Sequence, residues 1–409
     1  MAKFVAKRSE GGVSKTDIIA IASEAKEDAR KGNKVVNASI GAFLDEDKTL
    51  GKVPLIDESL RNNITGALGY PNVYGDPEYL KGVFSYVFGD KEETINNLYH
   101  PFIGSTLGGT GAISIAFNLF LEEGETVLLP SVMWTNYMLI AKKAKDNFAT
   151  YNMFTEEGGL DIKAIRESIN KEFAAGKSAL LVINDPCQNP TGFCMNEKEY
   201  EKLFLMLDEV GKEGKLTVLF DIAYLSFYSD PGHHFALFDE LVKGQKNFLP
   251  LVAFSCSKLF GLYGLRLGAL IALAHDEEEM LGIKRAFGAQ ARGTYSVPVG
   301  SAQYAVAQVL KDSSLHKRLN EEIEFNKDVL AKRSRVFLEE MDRAGIPHFP
   351  YMSGFFLTMK AKNAFEVAEK LKKEHIYVVP MNDDSIRLAF SGLTEEEGRF
   401  MISRIKKIL

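Results

Sequence analysis

Cysteine is scarce: this chain of 409 residues has three, Cys187, Cys194 and Cys256, an odd number without a Cys-x-x-Cys pair. A disulfide framework and a zinc ribbon are thereby excluded as organising devices, and a reducing, cytoplasmic compartment is expected. Long apolar runs are missing too. None approaches the roughly 18–20 residues that span a bilayer, and the strongest, Leu216 to Tyr228, is interrupted by Asp221. The first ten residues hold no continuous apolar segment, so neither a secretory signal nor a membrane partner is expected. Basic excess is absent as well: 49 Lys and Arg stand against 55 Asp and Glu, a net charge of −6, which argues against nucleic acid as a partner. What remains is ordinary globular usage, 46% hydrophobic and 25% charged. It suffices for about two or three domains. No internal repeat, low-complexity tract or proline-rich linker divides them.

Helical and strand signals alternate along most of the chain, which predicts an α/β fold. Asp76-Pro77 reads as an N-cap followed by proline at the first helical position. Leu80, Val83, Phe84, Val87 and Phe88 then keep helical spacing until Gly89. A second helix starts near Thr110, with Ile113, Phe117, Phe120 and Leu121 on one face. The runs Thr126–Leu129, Ala179–Ile183, Leu216–Phe220, Leu251–Phe254 and Leu267–Leu273 read as buried strands of a parallel sheet covered on both faces. From about residue 300 to 345 the pattern predicts long, charged helices. Beyond them, Phe355–Met359, Tyr377–Val379 and Ile386–Phe390 read as strands around a helix Ala364–Lys373. Thr394 and Glu397 form a capping box for the last helix. Together with a capped helix Ser14–Lys31, these elements predict a smaller α+β domain built from both chain ends, residues 1–45 and 311–409, beside a large domain over 46–310.

Four stretches carry chemistry. The segment from Ser255 through Ser257, Lys258, Gly261, Tyr263 and Gly264 to Arg266 and Gly268 lies between two apolar strands and sets a lysine eight residues before an arginine. Such a loop suits an aldehyde cofactor held by the lysine as a Schiff base, with Ser255 and Arg266 on its phosphate. The plain alternative is a glycine-rich turn with a solvated lysine. Asp221, in Phe220-Asp221-Ile222-Ala223-Tyr224, ends an apolar strand, where ligands of open α/β sheets bind. There it would keep a pyridinium nitrogen protonated and make the ring an electron sink, or simply cap a helix. Asn189-Pro190-Thr191-Gly192 is a turn whose asparagine would donate to a phenolate oxygen on the cofactor. Gly108-Gly109-Thr110-Gly111 opens a helix with bare backbone amides suited to a phosphate. The adjacent His233 and His234 point in different directions and lack a partner carboxylate or cysteine at ligand spacing, so no metal is expected.

In their order and spacing these stretches resemble the fold-type I pyridoxal-phosphate aminotransferases, specifically the aspartate and aromatic amino-acid subgroup, over nearly the whole chain. The resemblance implies a large domain with a mostly parallel central sheet flanked by helices, plus a smaller α+β domain. It makes Lys258 the residue that holds pyridoxal 5'-phosphate and later shuttles the Cα proton. Asp221 becomes the pyridinium partner, Asn189 and Tyr224 the donors to the ring oxygen, and Trp134 the aromatic stacked on the ring. Gly109, Thr110, Ser255 and Arg266 become phosphate ligands, joined by Tyr70 from a neighbouring subunit. Gly41 and Arg387 are implied for the substrate α-carboxylate, with arginine's planar fork as the clamp. Arg292 would read a distal carboxylate from across a homodimer. Two departures stand out: Tyr137 occupies the place where better-known members set a histidine behind the aspartate, and Leu259 and Leu265 replace more polar residues.

The implied reaction is ping-pong transfer of an amino group between an amino acid, aspartate or an aromatic one, and a 2-oxo acid such as 2-oxoglutarate. A carbon–sulfur lyase or decarboxylase on the same fold would need no distal-carboxylate reader, so Arg292 argues against it. A non-catalytic regulator would need an appended DNA-binding module, for which the roughly 30 residues before the first strand leave no room.

Overall fold

The computed structural model describes Phe4, residues 18–229 and residues 235–409. These form two compact units. The larger comprises Thr49–Lys332 and Pro350–Phe355; the smaller comprises the described residues up to Lys48 with Arg333–Phe349 and Phe356–Leu409. Chain order gives β1 (Val36–Asn37) in the smaller unit. The larger unit follows with β2 (His100–Leu107), β3 (Thr126–Pro130), β4 (Asn147–Tyr151), β5 (Ala179–Asn184), β6 (Leu216–Asp221), β7 (Leu249–Ser255) and β8 (Leu267–Ala274). The smaller unit closes with β9 (Phe356–Lys360), β10 (Ile376–Tyr377), β11 (Val379–Asn382) and β12 (Ser385–Ala389).

The seven strands of the larger unit form one sheet in the order β2-β8-β7-β6-β5-β3-β4. β7, β6, β5, β3 and β4 pair in parallel, while β8 runs against both β7 and β2. All five apolar runs are strands, and β8 alone departs from the parallel set because Cys256–Arg266 returns the chain directly instead of crossing a face. Alternation along each strand feeds two separate cores. Leu181, Ile183, Val218, Phe220, Val252 and Phe254 pack on one face; Leu180, Val182, Leu219, Leu251 and Ala253 pack on the other.

Two strands of the larger unit escape a pattern search. β2 contains Pro101 and Gly104, yet it pairs with β8 along its whole length. As the edge strand it can carry proline without breaking an inner ladder. β4 is the opposite edge, largely exposed, so it lacks an apolar run. The helix Pro77–Phe88 starts as expected: Asp76 Oδ1 accepts from the Tyr79 amide at 3.0 Å, and Gly89 follows the last turn. Gly108–Phe120 is the second helix.

In the smaller unit, β11, β12 and β9 form an antiparallel sheet, and β1 pairs in parallel with β10. The run Tyr377–Val379 is therefore not one strand but the junction of two, with Val378 between partners in different sheets. Helices Ala364–Lys372 and Glu395–Ile408 occupy the expected places, and the capping box of Thr394 and Glu397 is formed. Ile18–Arg30 is helical; the start of the expected helix at Ser14 lies outside the described residues, as do His233 and His234. The helix Ser313–Ala344 gives its first part to the larger unit and its last part, from Arg333, to the smaller. Among the described residues, no helix is long and apolar enough to cross a membrane.

Candidate active site

Most of the candidate side chains of the larger unit gather at one end of its sheet. β5 ends at Asn184, β6 at Asp221 and β7 at Ser255, all at carboxyl ends, where an α/β sheet leaves its crevice. The reversed β8 begins beside them, since Ser255 pairs with Gly268 and Leu267 pairs with Leu107. Strand register therefore brings together three segments far apart in sequence: Leu107–Thr110, Ser255–Lys258 and Arg266.

Asp221 is carried by a fully buried strand and is itself 4% exposed. Its Oδ2 accepts from the Tyr137 hydroxyl at 2.5 Å and its Oδ1 from the Ala223 amide at 3.1 Å. Burial pushes the carboxyl above the usual carboxylate range, while those two donors and the charge of Lys258 pull it back part of the way. Burial and the adjacent carboxylate hold Tyr137 far above its ordinary value, so it stays a neutral donor. The Tyr137 ring stands edge-on to half-buried Trp134, with centroids 5.3 Å apart. Acid, phenol and indole form one connected set.

Asn189 joins this set through its backbone. Its amide donates to Asn184 Oδ1 at 2.8 Å, and Asn184 Nδ2 donates to the Asp221 carbonyl at 2.9 Å. Buried Asn184 thus fixes the turn bearing Asn189 against the strand end bearing Asp221. Lys258 lies in the short helix Cys256–Leu259, which Ser255 caps by accepting from the Ser257 amide at 3.3 Å. Its Nζ is 5.5 Å from the ring centroids of both Tyr224 and Tyr263. Tyr224 is 5% exposed and packs edge-on against Phe355.

A cradle lies alongside. Arg266 NH1 donates to the Tyr263 carbonyl at 2.9 Å and to Ser257 Oγ at 3.3 Å, and NH2 reaches the Leu107 carbonyl at 3.4 Å. Helix Gly108–Phe120 begins there with no side-chain cap and no acidic residue in its first turn, leaving its amides directed outward. Gly108 has φ +71°, and a Cβ on it would sit 2.6 Å from Arg266 NH2. Glycine is what lets guanidinium and helix start meet. Gly109 would place a Cβ 3.2 Å from that of Ser255.

Tyr70 and Arg292 take no part in this cluster in a single chain. Tyr70 is 94% exposed. Arg292 is exposed in the last turn of helix Glu277–Thr294, with NH1 3.3 Å from Ser296 Oγ.

The smaller unit assembles its own group. Arg387, on the central strand β12, is 2% exposed; its NH2 donates to the Ser39 carbonyl at 2.7 Å, and its guanidinium carbon lies 4.6 Å from the Phe356 ring centroid. The same ring backs Gly41, where a Cβ would fall 2.3 Å from the Phe356 Cζ. Glycine and guanidinium both lie against that ring.

Sequence reasoning missed Asn184 and Ser257. Asn184 lies outside the expected motifs, and Ser257, although inside the lysine segment, has no expected role there; what each does arises only when the fold brings its partner within reach.

The class I and II aminotransferase model matches residues 33–405. The chain is 27% identical to an aromatic-amino-acid aminotransferase of Paracoccus denitrificans over 405 residues, covering 92% of this chain and 96% of that one. It is 25% identical to an aspartate aminotransferase of Haemophilus influenzae, covering 94% and 96%. An aminotransferase structure from Anaerococcus prevotii superposes with a TM-score of 0.91 at 26% identity, covering 99% and 98%. The chain belongs to the class I and II aminotransferases, enzymes that use pyridoxal 5'-phosphate to move amino groups.

Proposed function

We propose that this aminotransferase works with Lys258, Asp221 and Tyr224 at its reacting centre, and that it moves amino groups between aspartate or an aromatic amino acid and a 2-oxo acid such as 2-oxoglutarate. The observation that carries this reading is the convergence, at one end of the sheet, of a lysine, a buried acid and an uncapped helix start facing an arginine. That set fits pyridoxal phosphate. Arg266 and the amides from Gly108 to Thr110 suit a phosphate dianion, with Gly109 kept free of a Cβ and Ser255 beside them. A buried, desolvated carboxyl suits a cationic ring nitrogen, which offsets its burial with an opposite charge. When bound, the cofactor supplies an aldehyde for the amino group and an electron-withdrawing ring.

The chain's residues do the rest. Lys258 would hold the cofactor and would move the proton at the substrate Cα. Asp221 would keep the ring nitrogen protonated, Asn189 and Tyr224 would donate to the ring oxygen, and Trp134 would pack on the ring. Arg387 and Gly41 bind the α-carboxylate. A homodimer is part of the reading, with Tyr70 and Arg292 serving the partner's site. Ile64, Leu68, Tyr70 and Val299 are exposed by 49, 81, 94 and 37%, an amount of apolar surface that supports a subunit interface. A reducing, cytoplasmic setting is supported by the three buried, unpaired thiols. All the relatives named above are aminotransferases, which favours transamination over a lyase, a decarboxylase or a regulator.

Borohydride reduction of the yellow protein followed by peptide mapping tests the central assignment. The pyridoxyl group is expected on Lys258; label on another lysine would overturn it.

A further inference from the structure

Arg333 is a buried cation that the reaction does not use. It is 2% exposed at the start of the part of helix Ser313–Ala344 that belongs to the smaller unit. NH1 donates to two backbone carbonyls, Leu44 and Ser391, each at 2.7 Å. NH2 meets Glu46 Oε1 at 2.9 Å, and the guanidinium carbon lies 5.3 Å from the Phe43 ring centroid. Its Nε has no partner among the described residues. Burying a guanidinium with one N–H unmet is costly, so stability is a poor reason for keeping it there.

Its partners suggest a better one. Leu44 and Ser391 belong to two stretches laced side by side. The Ala389 amide donates to the Ala38 carbonyl at 2.9 Å, Ser391 Oγ to the Ala42 carbonyl at 2.9 Å, and the Leu44 amide to the Ser391 carbonyl at 3.2 Å. Arg387 holds Ser39 within the same lacing. One stretch carries Gly41 and the other carries Arg387. Residues 40–42 have no regular structure of their own to set their distance from β12. A single fork that holds the far end of both stretches sets it for them.

We propose that Arg333 is a positioning residue for the α-carboxylate site: by stapling the stretch 38–46 to the end of β12 it fixes Gly41 relative to the Arg387 guanidinium. This rests on the reading that Arg387 and Gly41 bind the α-carboxylate. A misplacement of about 1 Å in a positioned group costs on the order of 100-fold. Arg333→Met is therefore expected to weaken carboxylate ligands by about tenfold to 100-fold, irrespective of what side chain they bear. Arg333→Lys, which keeps charge but loses the fork, should fall between.

The test is calorimetric titration of the holoenzyme with two unreactive ligands, succinate and 3-phenylpropanoate, in wild type, Arg387→Ala, Arg333→Met and Arg333→Lys. Cofactor absorbance and melting temperature are recorded for each. The expected result is that both ligands weaken in parallel in Arg387→Ala and Arg333→Met while cofactor occupancy stays at the wild-type level, with KM raised more than kcat is lowered. If Arg387→Ala weakens both ligands and Arg333→Met leaves them within twofold, Arg333 is only structural and the proposal falls while the Arg387 reading stands. If Arg387→Ala itself changes nothing, the reading fails and the proposal with it. Should Arg333→Met not fold, the milder Arg333→Lys decides: unchanged affinity in it overturns the proposal.

Discussion

Asp221→Asn is expected to lower kcat/KM by about 30- to 5,000-fold, the range for truncating one partner of a buried charge pair, while leaving the apoprotein more stable near neutral pH than wild type. The first half follows from the site reading: the amide cannot hold a proton on the ring nitrogen, so the electron sink weakens. The second follows from burial. The Asp221 carboxyl is 4% exposed, and burial among protein groups alone raises its folded-state pKa above the unfolded value. An acid shifted in that direction contributes stability fully below its unfolded pKa and loses it as pH rises through the folded one. At neutral pH the wild-type apoprotein therefore carries a carboxyl that folding has made harder to ionise. The amide has no such titration; its one oxygen still accepts from the Tyr137 hydroxyl, which binds Asp221 at 2.5 Å in the wild type, while the longer bond from the Ala223 amide at 3.1 Å is given up. Thermal melts of apo- and holoprotein at pH 4 and pH 8 would show it. The apo variant should gain on wild type between those values, and the stabilisation that cofactor confers should shrink. An apo variant no more stable at pH 8 would mean that Asp221 is not held at a cost, and the trade between stability and activity at this position would go.

That trade also marks how far the site can be read from sequence. Asp221, Lys258 and the glycines from Gly108 stand in local patterns: the end of an apolar run, a loop between strands, the start of a helix. Local patterns survive translation into structure, as do the Asp76 cap and the Thr394–Glu397 box. The supports behind them do not announce themselves. Asn184 reaches 37 positions to Asp221, and Arg333 reaches 289 positions to Leu44. No window of neighbouring residues contains either pair, and neither side chain is unusual where it stands. The same holds for β1 and β10, two residues each, which exist only because they pair with one another. Tyr137 falls between. Its departure from histidine is plain in the sequence, but its bond to Asp221 and its edge contact with Trp134 are not.

Two arginines are expected to divide the substrate between them, and their settings explain why the two substitutions should behave differently. Arg387 is buried, bonded to the Ser39 carbonyl and held 4.6 Å from the Phe356 ring centroid, so its fork is fixed before any ligand arrives. Arg292 is exposed at a helix end with one long contact to Ser296, so it is held by little in a single chain. Every amino acid carries the α-carboxylate that Arg387 would clamp; only aspartate and glutamate carry the distal one that Arg292 would read. Removing one partner of a buried, hydrogen-bonded charge pair costs about 2–5 kcal/mol, which at about 1.4 kcal/mol per decade is tens to thousands in kcat/KM. Arg387→Ala should therefore depress aspartate and phenylalanine alike. Arg292→Leu should depress aspartate by that factor and leave phenylalanine within about tenfold, since an uncharged side chain never met the guanidinium. Its melting temperature should not move, because an exposed arginine with one long hydrogen bond contributes little to stability. Lysine would serve poorly at either position, lacking the bidentate fork. Half-reactions followed through the cofactor spectrum keep the acceptor out of the comparison, which matters because 2-oxoglutarate carries a distal carboxylate of its own. If Arg292→Leu lowers both donors equally, Arg292 is no reader of side chains, and a preference for dicarboxylates would have to be sought in other residues.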